Sequence, residues 1–212
     1  MVIEDRKKII ERRQQKRLDD FNRSIPTIYR DFFKEKYPRP ELAKKILSEW
    51  QAGDEKLNDS PFDSDVTGLI LFGSPRSGKT QLACELARQK IISEHHADAR
   101  FISAVQWAAE TTSKAKNCEL DNWTHQCVKF ARAYEVDPAI VIIDDLDKIR
   151  VSPSVQSELF NLIENITANG LWLVVTTNVS SRELADKFAP EFGSAIIARL
   201  QEFCVPVNFD KK

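Results

Sequence analysis

LILFGSPRSGKT, running from Leu69 to Thr80, is a short apolar run that breaks into a glycine loop and closes on lysine and threonine. It fits the phosphate-binding pattern G-x-x-x-x-G-K-[ST], with Gly73 and Gly78 at the glycine positions, then Lys79 and Thr80. A chain that wraps a triphosphate must turn several backbone N–H groups inward. Glycine takes the necessary dihedrals without a Cβ clash. Ser74, Pro75, Arg76 and Ser77 supply the intervening backbone, and Gln81 follows directly. In such a loop Lys79 reaches the β and γ phosphates and the Thr80 hydroxyl ligates Mg²⁺. From Lys79 onward, Leu82, Leu86 and Ile91 recur at helical spacing, so a helix N-terminus faces the anion. At average residue usage the four fixed positions coincide by chance in about one chain in a hundred of this length. This chain has only six glycines, two of them here, which favours the phosphate loop over an ordinary strand-to-helix turn.

Working outward, the 212 residues can bury one substantial core, and one α/β domain with an N-terminal extension is expected. Lys and Arg number 31 against 32 Asp and Glu, a formal net charge of -1, so any contact with nucleic acid must come from a local patch. No apolar run reaches the length of a membrane span, and the charged start MVIEDRKKII does not read as a signal peptide; no membrane association and a cytoplasmic location are expected. Cys84, Cys118, Cys127 and Cys204 have no C-x-x-C spacing and read as buried free thiols, and His95, His96 and His125 form no ligand pattern.

In residues 1–23, Ile3, Ile10, Leu18 and Phe21 fall near one helical face amid alternating charges. Two readings stay open for this amphipathic helix: a stripe awaiting a partner, or a helix docked on its own domain. SIPTIYRDFFKEKYPRP reads as an ordered linker broken by Pro26, Pro38 and Pro40. Glu41 to Gln51 returns to a helix, and the polar segment Gly53 to Asp65 is a loop. After the helix that follows the glycine loop come an edge-like strand at Arg100–Ser103 and helices at about Ala104–Lys116 and Leu120–Tyr134, with Trp107, Trp123 and Val128 as core contacts. AIVIIDD is a strand buried on both faces, interior to a parallel sheet. A helix at Ser154–Thr167 ends at Asn169-Gly170, and LWLVV is a further buried strand. Short helices at Ser181–Lys187 and Ser194–Arg199 and a last strand in FCVPVNF complete the alternation. Alternation of strand and helix from 69 to 208 predicts a doubly wound parallel sheet.

Three more residues lie where nucleotide hydrolysis needs them. Asp144, at its strand's end, is placed to hold Mg²⁺ through water, and Asp145 to position or deprotonate an attacking water. Asn178 ends the next buried strand, at the carboxyl edge where it can orient the water or touch the γ-phosphate.

The series Gly73 to Thr80, IIDDLD, TTN and FGSAIIARL resembles the AAA+ ATPases of the helicase-loader and initiator clade, nearest the DnaC/DnaI loaders and the IstB transposition helper. SIPTIYRDF is similar to a short segment preceding the ATPase core there, so the resemblance spans about residues 24–208. It implies a P-loop AAA+ fold with a five-stranded sheet in the order 5-1-4-3-2, helices on both faces and no C-terminal lid domain. It divides the chain into a helical extension and linker over residues 1–60, a possible partner-binding part, and an ATPase domain over 61–212. By position, Gly73 to Thr80 match Walker A, Asp144 and Asp145 Walker B, and Asn178 sensor 1. Arg199 matches the arginine finger that reaches a neighbouring subunit's γ-phosphate. ATP and Mg²⁺, a replicative DNA helicase, single-stranded DNA and a homo-oligomer formed with ATP are the implied ligands and partners.

Two positions depart from the family pattern: Ile166 and Ala195 stand where arginines are frequent. The implied function is that of an ATPase acting as an accessory factor in DNA replication, loading a helicase. Its rivals are a transposase helper with the same core, a P-loop small-molecule kinase, and a nucleotide-gated binding module with little turnover. Lys114, Lys116, Lys148 and Arg150 are candidates for DNA contact, against the plainer reading of solvated charges.

Overall fold

The computed structural model describes residues 2–27, 45, 46, 48, 68–93, 97–112 and 139–210. The chain enters through α1 (Val2–Ser24) and then builds β1 (Gly68–Phe72), α2 (Lys79–Ser93), β2 (Ala99–Ser103) and α3 (Ala104–Thr112). β3 (Ile140–Asp144), a 3-10 turn at Leu146–Lys148, α4 (Pro153–Ala168) and β4 (Trp172–Thr177) follow, and α5 (Ser181–Ala185), α6 (Pro190–Phe203) and β5 (Cys204–Asn208) close it. Among the described residues the five strands form one parallel sheet in the order β2-β3-β4-β1-β5, which is the expected 5-1-4-3-2 read from the other edge.

The interior strands are apolar up to their carboxyl ends because alternate side chains enter two different cores. Ile70, Val141, Ile143, Leu173 and Val175 face α3, α4, α5 and α6, while Leu69, Leu71, Ile140, Ile142 and Val174 face α2 and α1. Among the described residues β5 has β1 as its one strand neighbour, and this edge position accommodates Pro206, which has no N–H to donate.

Helix ends follow local chemistry. Ser152 caps α4 by accepting from the Val155 N–H at 3.3 Å, with Pro153 in the first turn. Ser180 and Glu183 form a reciprocal capping box that starts α5. Two boundaries differ from expectation. α5 stops at Ala185 rather than Lys187, and α6 extends beyond Ser194–Arg199 at both ends, since Pro190 opens it and the apolar series Ile196, Ile197, Leu200 carries it to Phe203.

Of the two readings of the N-terminal helix, the structure shows docking on the chain's own core. Phe21 and Ile25 are fully buried with Leu82, Leu86 and Ile91 of α2, and Leu18 packs against them. Gln14 donates its side-chain amide to the carbonyls of Ile91 and Ile92 at 3.0 and 2.8 Å, covering orphan acceptors at the end of α2. Ser24 accepts from the Phe101 N–H of edge strand β2 at 3.2 Å. Ile9 and Ile10, farther toward the N-terminus, remain 48% and 41% exposed. The expected linker, most of the helix at Glu41–Gln51, the loop Gly53–Asp65, the helix at Leu120–Tyr134 and residues His95, His96, Lys114, Lys116, Cys118, Trp123, His125, Cys127 and Val128 lie outside the described residues.

Candidate active site

Parallel register brings the carboxyl ends of β1, β3 and β4 to one edge of the sheet: Phe72 lies beside Thr177, and Ile143 beside Val175. The glycine loop leaves that edge after Phe72 and passes into α2. Gly73 and Gly78 have φ of 139° and 98°, and a Cβ on Gly78 would project into open space. A loop bent this way, with its glycine facing open space at a helix N-terminus, fits a phosphate. A cavity of about 530 Å³ lies over it, lined by Pro75, Arg76, Ser77, Gly78, Lys79, Thr80 and Gln81 from the loop and α2, and by Asp145, Lys148 and Asn178 from the strand ends. Gly73 and Ser74 take part through their carbonyls, each accepting from Lys79 Nζ at 2.8 Å, with Ser77 Oγ a third acceptor at 3.3 Å. Burial lowers the pKa of Lys79, opposed by Asp145, Asp210, Asp147 and Asp144 nearby.

Asp144 is buried beneath the loop, 3% exposed. Its Oδ1 accepts from the hydroxyls of Thr80 at 2.7 Å and Thr176 at 2.6 Å. Burial raises its pKa above the usual carboxylate range, although both hydroxyl bonds act in the opposite sense. A carboxylate and a threonine hydroxyl joined at hydrogen-bond distance are a hard-oxygen donor pair, and they fit a Mg²⁺ ion.

Asp145 has left-handed backbone, φ 57° and ψ 47°. Its N–H donates to Thr176 Oγ1 at 2.9 Å, so one threonine fixes both members of the Asp pair. The Asp145 carboxylate accepts from Lys148 Nζ at 2.6 Å and from the Asn178 amide at 3.4 Å. Asn178 is itself held by Asp147, which accepts its backbone N–H at 2.9 Å and its side-chain amide at 3.2 Å.

Of the sequence-predicted residues, Pro75 to Gln81, Asp145 and Asn178 therefore line one cavity, and Asp144 lies beneath it, joined to it through Thr80. Arg199 does not line it. It stands on α6 in a two-pronged pair with Glu164 of α4 and a 2.8 Å bond to Glu202, its guanidinium 5.3 Å from the Phe203 ring. Ile166, one of the departures, is fully buried in the core. Asp147, Thr176, Lys148 and Asp210 were not foreseen in these roles. Asp147 and Thr176 stand inside IIDDLD and TTN, where an unassigned polar residue beside an assigned one was the available signal. Asp210 carried none: its carboxylate accepts the Ser74 N–H at 2.8 Å, which lowers its pKa.

A model of the ATPase family associated with various cellular activities (AAA) matches residues 69–194. The chromosomal replication initiator protein DnaA of Desulfotalea psychrophila (strain LSv54 / DSM 12343) is 23% identical over 144 residues, 66% of this chain and 29% of that protein. The chain thus spans less than a third of this relative's length. The solved structure of DnaI is similar with a TM-score of 0.56 at 17% identity, covering 82% of this chain and 86% of that one. That of the DnaC helicase loader has a TM-score of 0.54 at 18% identity, covering 82% and 91%. At these identities the structural likeness speaks to the fold.

Proposed function

The chain belongs to the AAA family of ATPases, and from that premise we propose that it binds and hydrolyses ATP with Mg²⁺ and uses the nucleotide as a conformational and assembly switch in DNA replication. The observation that carries the reading is the bond from Thr80 Oγ1 to Asp144 Oδ1, 2.7 Å, which joins the two halves of a nucleotide site across 64 residues of sequence. In this reading the loop N–H groups and Lys79 hold the phosphates. Thr80 and Asp144 would hold Mg²⁺, which neutralises charge on the phosphates. Asp145 orients the attacking water or takes its proton, and Asn178, fixed by Asp147, positions that water.

The machine served is a replicative helicase, loaded onto single-stranded DNA by a homo-oligomer that forms with ATP. The resemblance to the DnaC/DnaI clade supports this, as does the fold shared with a protein named a helicase loader. A transposase-helper role on the same core is the alternative. One observation favours a third reading, a module with little turnover: Arg199 is tied to Glu164 and Glu202 of its own chain. An arginine acting in trans would leave the lone protomer slow, and such an arginine contributes about 10³ to 10⁵ in rate.

The test is capture of the purified replicative helicase, and in parallel of a purified transposase, on the immobilised protein, in ATP and in ADP, with the intact chain and with a variant lacking residues 1–10. That truncation leaves Gln14, Phe21 and Ile25 on the core. ATP-dependent retention by the intact chain is the expected result. Retention of a transposase instead, or of neither, removes the loader reading and leaves the ATPase.

A further inference from the structure

Lys148 stands in the same cavity as the glycine loop but comes from the opposite component of the site, the turn after β3. Its ammonium lies 2.6 Å from Asp145 Oδ2, while the Asn178 amide approaches Asp145 Oδ1. The Lys148 side chain is 52% exposed and that of Asp145 22%, so the cation reaches inward from the cavity mouth on a flexible stem. Lys79 differs: it is buried and bonded to the loop's own carbonyls.

A terminal phosphate seated where Asp145 and Asn178 can act on its water brings a multiply charged anion toward the Asp145 carboxylate. Like charges at that range oppose binding unless a cation stands between them. Among the described residues, Lys148 is a cation in contact with this carboxylate. We propose that Lys148 reads the third phosphate: it pairs with Asp145 when the terminal phosphate is absent, and moves its ammonium to a γ-phosphate oxygen when a triphosphate fills the cavity. The inference rests on the nucleotide reading above and deepens it. Lys148 is thereby a specificity-determining residue for triphosphate over diphosphate, and its departure frees Asp145 to engage water.

The experiment is equilibrium binding of ADP and of the non-hydrolysable analogue AMPPCP to the wild type, Lys148→Met, Lys148→Arg and Lys79→Ala. Lys148→Met is expected to weaken AMPPCP about tenfold, as befits loss of one charge-assisted bond, and to leave ADP within about twofold. Lys148→Arg restores most of the difference. Lys79→Ala loses both ligands. Equal weakening of both ligands by Lys148→Met, or unchanged affinity for both, overturns the proposal. A wild type that binds neither ligand overturns the nucleotide reading itself, and this inference with it. Lys148 is half exposed, so thermal melting of the Met variant within a few degrees of wild type confirms that the fold is intact.

Discussion

Asn178 reaches the cavity because Asp147 holds it at two points, the backbone N–H and the side-chain amide. Removing that carboxylate leaves the amide free to rotate away from Asp145 while the phosphate loop is untouched. Asp147→Ala is therefore expected to lower ATP turnover by about 10- to 100-fold, the usual effect of losing a group that orients a site residue, with nucleotide affinity within about twofold. Steady-state kinetics beside a binding titration separates the two; a matching loss of affinity would mean that Asp147 shapes the loop instead. Asp210 offers a pH dependence. Its pKa is lowered by the Ser74 N–H, so the tie to the glycine loop favours the folded protein above the ordinary carboxylate value of about 3.9 and is lost as pH falls through the lower folded value. Protection of the Ser74 amide from hydrogen exchange is expected to persist at pH 5 and to disappear in Asp210→Ala at the same pH. Equal exchange in the two proteins would show that the bond does not hold the loop. At this scale the sequence was readable where a residue has a fixed place, Lys79 and Thr80 by spacing in the glycine loop and Asp144 at the end of an apolar strand. It was silent on Asp147 and Asp210, whose partners lie 31 and 136 residues away and depend on how strand ends and tail meet in space.

Among the elements, α1 joins two environments on one helix. Its C-terminal half buries Phe21 completely against α2, and its N-terminal half leaves Ile9 and Ile10 in solvent. Phe21→Ala is expected to cost about 3–5 kcal/mol of stability, the range for truncating a buried phenylalanine. Ile9→Ser is expected to change stability by less than about 0.5 kcal/mol. Urea denaturation of the two variants checks both, and a small effect at Phe21 would mean that α1 is not part of the folding unit. Apolar periodicity gave the helix but could not choose between docking and a free stripe, because the contacts that dock it, Phe21 on α2, Gln14 to the end of α2 and Ser24 to β2, are all long-range. The buried strands were legible for the opposite reason. An unbroken apolar run such as AIVII has few other places to go than a sheet covered on both faces. Helix ends were legible at Asn169-Gly170 but not at Pro190, which opens α6 four residues ahead of the expected Ser194.

At the scale of the whole molecule, alternation of strand and helix pointed to a parallel sheet, and the strand order came from the family resemblance alone. What no single chain displays is a role that needs a second copy. Arg199 is engaged by Glu164 and Glu202 in this protomer, and action in trans requires those pairs to open. ATP turnover per protomer is accordingly expected to rise with protein concentration, and Arg199→Ala to abolish that rise while leaving nucleotide affinity unchanged. A rise that persists in Arg199→Ala would move the trans role to another residue. All of this stands on nucleotide binding at the glycine loop. The most direct test is titration of a fluorescent ATP analogue into the wild type and Lys79→Ala, with Mg²⁺ and with chelator. Saturable, Mg²⁺-strengthened binding to the wild type and none to Lys79→Ala is the predicted result; equal affinity in the two proteins, or no binding to the wild type, would contradict it.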